Sequence, residues 1–336
     1  MAKGRNKRQL RRSWIVILLV SVVVGFCVLS TMQNRDNLEI GLPELESKAA
    51  ARVSSFFSYF IDTSQAPQTE KESPLAVFSS KGNLSVHFID VGQGKAILIQ
   101  APDKTVLIDG GDNATAKELV RYLKDAGAGS IDLCIPTHAH ADHIGGLDVV
   151  MDDLKVKSVV MTDLPHELVP TSASYTDFLL AIAKNSVTVE EFKAGKSYDL
   201  GGGATLTLLA PLGEYSDLND MSIVSRLDYR DTSFLFTGDA SGPSELDLIE
   251  SRADLSADVL DVGHHGSRSS TTQAFLDQVN PSIAVLSCGL DNSYKHPHKE
   301  VLERLGGQGA QIYRTDLQGT IVMRSDGSQL SVSAAA

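Results

Sequence analysis

Residues 131–143 read IDLCIPTHAHADH, an apolar run followed at once by three histidines and an aspartate. The apolar run is typical of a buried strand, so the polar cluster is expected in the loop at its carboxyl end. Imidazole nitrogens and a carboxylate oxygen this close together suit Zn²⁺, Mn²⁺ or iron. Alternate side chains of an extended segment share a face, so His138 and His140 are predicted to bind one ion, with Asp142 and His143 facing a second. The alternative is a solvated or core cluster of histidines.

Four ligands on one loop cannot complete two coordination shells, so further ligands are expected at other strand ends. Asp239 in FLFTGDA follows a buried strand, where an unpaired carboxylate is costly and one that bridges two cations is stabilised. Its structural alternative is a helix N-cap. The segment VGHHGS supplies His264 and His265, of which one is predicted to bind metal while the other orients substrate or a ligand. The sequence leaves open which does which, and KHPH adds His296 as a further candidate ligand.

The pattern of the chain from Leu84 onward predicts an α/β protein. Short runs rich in Val, Ile and Leu alternate with helical segments, which is typical of sheets covered by helices. Helices are predicted over residues 114–126, from Pro243, from Thr271 and over residues 297–305. The three cysteines have no CxxC spacing, so they indicate neither a disulfide framework nor a zinc knuckle.

The first 80 residues are predicted to attach this domain to a membrane. Residues 13–32 carry no charge and are long enough to cross a hydrocarbon layer of about 30 Å, and six basic side chains precede them. The positive-inside rule then predicts a cytoplasmic tail over residues 1–12, a transmembrane signal anchor over 13–32 and an extracytoplasmic remainder. A cleaved signal peptide and a secreted protein are the alternative. Residues 33–80 are predicted to form a stalk before a globular domain over residues 81–336.

The charge of the chain bears on its substrate. The net charge is -12, and without the six basic residues of the tail, 24 basic and 42 acidic side chains remain, a balance of -18. Such a surface repels phosphate backbones on average, so a nucleic-acid substrate would need a local basic path.

Several motifs resemble known families. HAHADH (138–143) and TGDA (237–240) resemble the metallo-β-lactamase superfamily. DVGQG (90–94), LIDGG (107–111), GHHGS (263–267) and YRTDLQGTI (313–321) look like the narrower group related to the C-terminal domain of the DNA-uptake competence protein ComEC. The resemblance covers about residues 82–333 and implies a four-layer αββα metallo-β-lactamase sandwich with a metal site at one edge of the sheets. By resemblance, the metal ligands are His138, His140, Asp142, His143 and Asp239, and Asp109 braces the site behind them.

The chain departs from this pattern in three ways. Lys95 stands where the usual DVGQGDA has an acidic residue. No histidine between Gly146 and Asp239 convincingly fills the middle ligand position of the superfamily, and GHHGS with HPH is expected to compensate. The chain has one hydrophobic segment where the competence channel has many, so transport of DNA is not implied.

Together these features predict a hydrolase with two divalent ions, Zn²⁺ first and Mn²⁺ second. Asp142 is predicted to position the attacking hydroxide, and His265 or Lys95 to meet the developing oxyanion. A phosphodiester in DNA or an envelope polymer is the first substrate, and a β-lactam or thioester the second. A metal-stabilised binding module with little turnover is the alternative from another class, and no protein partner is inferable. Because metal binding needs neutral imidazoles, activity is predicted to fall below about pH 6.

Overall fold

The structure is a computed structural model that describes residues 83–334. The tail, anchor and stalk predicted for residues 1–80 lie outside this range. Within residues 83–334, no helix combines the length and the apolar character needed to cross a membrane.

The first sheet contains eight strands, which are β1 (Leu84–Phe88), β2 (Ile97–Gln100), β3 (Thr105–Ile108), β4 (Ser130–Ile135), β5 (Lys155–Met161), β6 (Thr188–Glu191), β14 (Ile321–Ser325) and β15 (Leu330–Ala334). Their order is β15-β14-β1-β2-β3-β4-β5-β6. Strands β3 to β6 are parallel, and the other neighbours pair antiparallel. The carboxyl ends of the parallel strands therefore lie along one edge.

The second sheet contains seven strands, which are β7 (Ser197–Gly201), β8 (Ala204–Ala210), β9 (Val224–Tyr229), β10 (Thr232–Phe236), β11 (Val259–Asp261), β12 (Ile283–Leu286) and β13 (Gln311–Arg314). Their order is β13-β12-β11-β10-β9-β8-β7. Strands β10 to β13 are parallel and the rest pair antiparallel. This sheet repeats the arrangement of the first, with an antiparallel part and a parallel part.

Three buried clusters define the layers of the domain. Side chains of a strand point alternately to its two faces, so Ile97 and Ile99 pack between the sheets with Phe236. Leu98 faces the other way and packs with Leu123 in a second cluster under the helices of the first sheet. A third cluster lies between the second sheet and its own helices. The layers are helix, sheet, sheet, helix, as the resemblance implied.

Eight α-helices occur in the described range, which are α1 (Ala116–Asp125), α2 (Ala141–Ile144), α3 (Leu147–Asp153), α4 (Ala173–Lys184), α5 (Gly242–Glu250), α6 (Gln273–Val279), α7 (Lys299–Gly307) and α8 (Thr315–Gln318). The four predicted helices correspond to α1, α5, α6 and α7, with boundaries that differ by one to two residues. The start of α6 is fixed by Thr272, whose side chain accepts a hydrogen bond from the amide of Phe275, which is the usual role of a threonine N-cap.

Five strand ends bring the predicted site residues to one edge of the sandwich. Asp109 follows β3, and the HAHADH loop follows β4 in the first sheet. Asp239 follows β10, and GHHGS follows β11 in the second sheet. The loop after β12 carries His296. Because loops at the carboxyl ends of parallel strands converge, the fold places these residues on neighbouring loops.

Candidate metal centre

Three donor atoms from separate loops meet at this edge. Asp239 Oδ2 lies 3.3 Å from His143 Nε2 and 3.4 Å from His265 Nε2, and the two imidazole nitrogens are 3.3 Å apart. A tetrahedral zinc ion with bonds of about 2.0–2.1 Å has donor-to-donor edges of roughly 3.3–3.4 Å. The three residues, which we call the donor triangle, therefore have the spacing of one face of a coordination tetrahedron.

Asp142 and His138 each lie next to the donor triangle. Asp142 Oδ2 is 3.2 Å from His265 Nε2 and 4.0 Å from His143 Nε2. The ring of His138 contacts that of His143, with centroids 4.1 Å apart. Ligand atoms of His138, His143 and Asp239 all lie within 4.8 Å of one another, as do those of Asp142, His143 and His265. Each of these two groups can hold a divalent cation.

His140 lies beside His138 but belongs to neither of the two groups among the described residues. Its Nδ1 is 2.9 Å from Nε2 of His138, which is the pairing that the spacing of the HAHADH loop predicted. The structure thus brings five of the predicted ligands into groups that can hold a metal and places His140 against one of them; the five are His138, Asp142, His143, Asp239 and His265.

Two hydrogen bonds determine which nitrogen of each triangle histidine faces the other donors. His265 Nδ1 lies 2.8 Å from the carbonyl oxygen of Ser287, and His143 Nδ1 lies 2.7 Å from Oδ2 of Asp109. Both oxygens accept, so each Nδ1 carries the hydrogen, and in the neutral ring Nε2 keeps the lone pair that a metal needs. A carboxylate behind a histidine in this way orients the ring and raises its basicity.

Asp109 is itself held firmly. Its Oδ1 accepts from the amide of Thr137 at 2.7 Å and its Oδ2 from the hydroxyl of the same residue at 2.8 Å. It is fully buried, and its φ of 58° is in the left-handed region, which is uncommon for a residue other than glycine. Strained backbone of this kind persists where surrounding contacts over-determine it. The position agrees with the bracing role that the resemblance implied.

The carboxylates and imidazoles shift one another's pKa. Burial opposes protonation of His265, but the carboxylates of Asp239 and Asp142 outweigh it and raise the pKa of His265 to about 9. Burial is likewise outweighed at His143, where Asp239 and Asp109 hold the pKa well above its usual value. Burial acts to raise the pKa of Asp239, yet His143 and His265 hold it well below its usual value. Asp239 is therefore ionised at neutral pH.

We expect the affinity for a divalent cation to rise with pH through the neutral range. A cation on Nε2 of His265 must displace the proton that this ring holds below a pKa of about 9. Each displaced proton changes the apparent affinity about tenfold per pH unit. Protons therefore compete with the metal at pH values above about 6, the limit predicted from the sequence. Zinc titrations of the chelator-stripped chain at about pH 6.5, 7.5 and 8.5 measure this, and a Kd independent of pH would contradict it.

A buried oxygen of Asp239 supports the fit of these residues to divalent metal. The side chain is almost fully buried, and its Oδ1 has no hydrogen-bond partner among the described residues. A buried carboxylate oxygen without a partner is costly. Because Oδ2 lies in the donor triangle, a second cation bound by the same carboxylate would give Oδ1 its partner. The mixture of imidazole nitrogen and carboxylate oxygen suits Zn²⁺ or Mn²⁺.

His265, and not His264, belongs to the donor triangle. Both have left-handed φ values, 48° and 54°, and their rings stand at 71° to each other. Nε2 of His264 is 3.8 Å from Oδ2 of Asp239, and its side chain is 24% exposed. Both ring nitrogens of His265 are engaged with protein groups, so it is not available to meet an oxyanion as predicted. The more exposed His264 has that freedom.

A cavity of about 280 Å³ lies in front of the donors and includes His296. The ring of His296 stacks on that of His265, with centroids 6.2 Å apart and planes at 22°. Among the described residues His296 belongs to neither group of potential metal ligands, although its Nδ1 is buried without a hydrogen-bond partner. The structure therefore places this predicted ligand beside the centre and outside its donor groups.

Lys95 is not placed to meet an oxyanion, contrary to the prediction from the sequence. Its Nζ donates to the carbonyl of Gly238 at 2.8 Å, to Oδ2 of Asp261 at 3.0 Å and to the carbonyl of Val262 at 3.2 Å. An ammonium group has three hydrogens, and the side chain is fully buried. Burial acts to lower the pKa of Lys95, but the carboxylates of Asp261 and Asp239 raise it. The ammonium group of Lys95 instead joins the segment before β2 to the ends of β10 and β11 in the second sheet.

One residue of the site has no signal in the sequence. The hydroxyl of Ser222 lies 3.4 Å from Nδ1 of His138 and accepts from the amide of Asp239 at 3.0 Å. It therefore connects His138 with the loop that carries Asp239. It lies 84 residues from His138 in no recognisable motif, so only the folded chain reveals it.

Comparisons with known proteins agree with this geometry. Residues 89–290 match the family described as the metallo-beta-lactamase superfamily. ComE operon protein 3 of Bacillus subtilis is 32% identical over 264 residues, which is 73% of this chain and 33% of that protein. Recombination protein 2 of Haemophilus influenzae is 30% identical over 72% of this chain and 29% of that protein. Competence protein ComA of Neisseria gonorrhoeae is 29% identical over 69% of this chain and 31% of that protein.

These matches confirm the resemblance that the motifs predicted. The matched region spans about one third of the length of each of these relatives, so the similarity concerns one part of them.

Proposed function

Because this chain belongs to the metallo-β-lactamase superfamily, we propose that its residues 81–336 form a hydrolase domain that binds two divalent cations and cleaves phosphodiester bonds. The observation that carries the proposal is the donor triangle, with the unpartnered oxygen of Asp239 beside it. We infer Zn²⁺ as the first choice of metal and Mn²⁺ as the second. We also retain the extracytoplasmic location behind a membrane anchor over residues 13–32.

The proposed ligands divide between the two ions as the alternation in the HAHADH loop predicts. His138, His140 and Asp239 would hold one cation. Asp142, His143 and His265, with Asp239 shared, would hold the other. When bound, the pair of cations supplies Lewis acidity to the electrophile and makes water nucleophilic near neutral pH.

Two side chains that face the cavity act on the substrate in this proposal. Asp142 is 32% exposed, and although burial acts to raise its pKa, the hydrogen bond from His265 holds that pKa below its usual value. It is therefore ionised and can accept the proton of the attacking water. Burial lowers the pKa of His264, so its ring is neutral and can donate one N–H to a substrate oxygen.

A phosphodiester fits these residues and these relatives better than the alternatives. A pair of divalent cations held by Asp239 and its neighbours would supply the charge stabilisation that displacement at a phosphoryl group needs. The relatives bear names that refer to competence and recombination, which supports DNA as the polymer. The net charge outside the basic tail is -18, from 24 basic and 42 acidic residues. This charge disfavours DNA, so a phosphodiester of the cell envelope is the second substrate within this class.

The proposal is tested with the full-length chain purified in detergent. After dialysis against zinc or manganese, bound metal is measured and hydrolysis is assayed on bis-p-nitrophenyl phosphate, single-stranded DNA and a chromogenic β-lactam. We expect close to two ions per chain and metal-dependent cleavage of the diester. Asp142→Ala and His140→Ala should lower the rate by about 10²–10⁴, since cation stabilisation of the transition state is worth several kcal/mol.

A matched control is His87→Gln, because His87 is a buried histidine that contacts Tyr122 and Ser85. This variant should keep both ions and the wild-type rate. Cleavage of the β-lactam alone would support the second enzymatic hypothesis. Bound metal without turnover on any of the three substrates would support a binding module and overturn the hydrolase proposal.

A further inference from the structure

An exposed aromatic ring stands at the mouth of the cavity. Tyr294 lines the cavity and is 62% exposed. Its ring lies nearly parallel to that of His296, with centroids 5.6 Å apart and planes at 22°. His296 is stacked in turn on His265 of the donor triangle. Three rings therefore run in series from the donors to solvent, and the outermost offers an aromatic face to a ligand.

The loop that carries Tyr294 is held in place. Asn292 donates through Nδ2 to the carbonyls of Gly289, at 2.8 Å, and of His296, at 2.6 Å. Its Oδ1 accepts from the amide of His296 at 3.0 Å. At the start of the loop, the amide of Gly289 donates to the side chain of Gln93, another residue of the cavity wall. Since the ring is already positioned, a ligand that stacks on it orders little further structure.

The charges beside the cavity of the donors differ from those beside a second cavity. The loop of Tyr294 exposes Lys295 and Asp291, and the exposed Arg268 donates through its amide to His298 of this loop at 3.2 Å. A second cavity of about 770 Å³, whose wall includes Met221 next to Ser222, is lined in part by Asp163, Glu167 and Glu214. A polyanion is repelled by that acidic wall. With Lys295 and Arg268 near it, the cavity at Tyr294 is therefore the more favourable path for a chain of phosphates.

We propose that Tyr294 is a stacking platform for an unpaired nucleobase beside the scissile phosphodiester, so that the substrate is single-stranded nucleic acid. This inference rests on the proposed phosphodiesterase function and narrows it. Every base has a π face, and stacking on aromatic side chains is how single strands are bound without sequence preference. Inside a duplex both faces of a base are covered by its neighbours, so only unpaired bases can use the ring. A polyol phosphate of the envelope has no such face.

The test compares two strands of equal charge on the full-length protein loaded with zinc or manganese. One is a single-stranded oligonucleotide, and the other is an abasic phosphodiester strand of the same length. We expect Tyr294→Ala to raise KM for the strand with bases by about fivefold to a hundredfold and to leave KM for the abasic strand unchanged. Tyr294→Phe should retain the wild-type KM, because it keeps the ring.

Leu290→Ala is the matched control. Leu290 lies in the same loop and is 67% exposed, but it is not part of the cavity wall, so its loss should change neither KM. An equal rise of KM on both strands in Tyr294→Ala would overturn the inference, since the ring would then act on the backbone or on the loop. A polyglycerol phosphate whose KM depends on Tyr294 as strongly would overturn it too.

Failure of the proposed function is distinguished by a binding measurement. If none of these strands is cleaved, fluorescence anisotropy of labelled strands on the metal-loaded protein replaces KM. Weaker binding of the strand with bases to Tyr294→Ala, with unchanged binding of the abasic strand, would support the platform while the hydrolase proposal fails. Equal binding of both strands by wild type and variant would overturn the platform.

Discussion

Replacing Asp239 with asparagine is expected to remove at least one of the two cations and to lower hydrolysis by about 10²–10⁴, the loss of several kcal/mol of charge stabilisation. The amide keeps the size of the side chain but has one neutral acceptor oxygen, so it cannot bridge two cations. The geometric reason is that Asp239 Oδ2 lies 3.3 Å and 3.4 Å from the two triangle histidines while Oδ1 has no hydrogen-bond partner in the described part of the chain.

Metal analysis and rates on bis-p-nitrophenyl phosphate measure this effect, with Asp258→Asn as the control. Asp258 precedes β11 at the end of the strand opposite the donors and accepts hydrogen bonds from Ser233. Its amide variant should retain both ions and the wild-type rate, even with some loss of stability. If Asp239→Asn also retained two ions and full activity, the assignment of Asp239 as the shared ligand would be wrong.

Replacing Lys95 with methionine is expected to lower the free energy of unfolding by about 3–5 kcal/mol. The substitution leaves the fully buried carboxylate of Asp261 without the ammonium group that pairs with it. The double variant Lys95→Met/Asp261→Leu should recover most of that loss, since replacing a whole buried ion pair by apolar groups is often neutral or stabilising. Urea unfolding of the metal-loaded chain measures both. Lys157→Met removes the exposed partner of Asp132 and should cost at most about 1 kcal/mol.

A second measurement on the same variants separates stability from positioning. Lys95 also donates to the carbonyl of Gly238, the residue before Asp239. The double variant lacks this hydrogen bond, so we expect its turnover of the small diester to stay reduced even where its stability is restored. A double variant as unstable as Lys95→Met would contradict the ion-pair account, and one with full turnover would contradict the positioning of Asp239 by Lys95.

The predictable parts of the site are those that depend on local sequence. The HAHADH loop follows an apolar run, and the alternation of an extended segment was enough to pair His138 with His140, whose nitrogens are 2.9 Å apart. Strand ends were also readable from apolar runs, which placed Asp239 and the GHHGS segment at the correct edge. Helix boundaries differed by one to two residues, because they depend on individual caps such as Thr272.

The unpredictable parts depend on contacts between distant segments or on unusual backbone. Lys95 meets Asp261 across 166 residues, so no spacing in the sequence shows that its ammonium group is already used. The choice between His264 and His265 depends on two successive left-handed residues, a conformation that residue type alone does not specify. The position of Tyr294 at the cavity mouth depends on its exposure in the folded chain, which residue type alone does not show.

Neither sheet of the sandwich carries all of the proposed metal ligands. The first carries the HAHADH loop and the second carries Asp239 and His265, so an ion held by these ligands would link the two halves of the domain. Binding to the folded form alone adds RT ln(1 + [metal]/Kd) to stability, so scarcity of metal would loosen the join between the halves as well as stop turnover. A cell that limits zinc or manganese would thereby control how long this domain survives proteases.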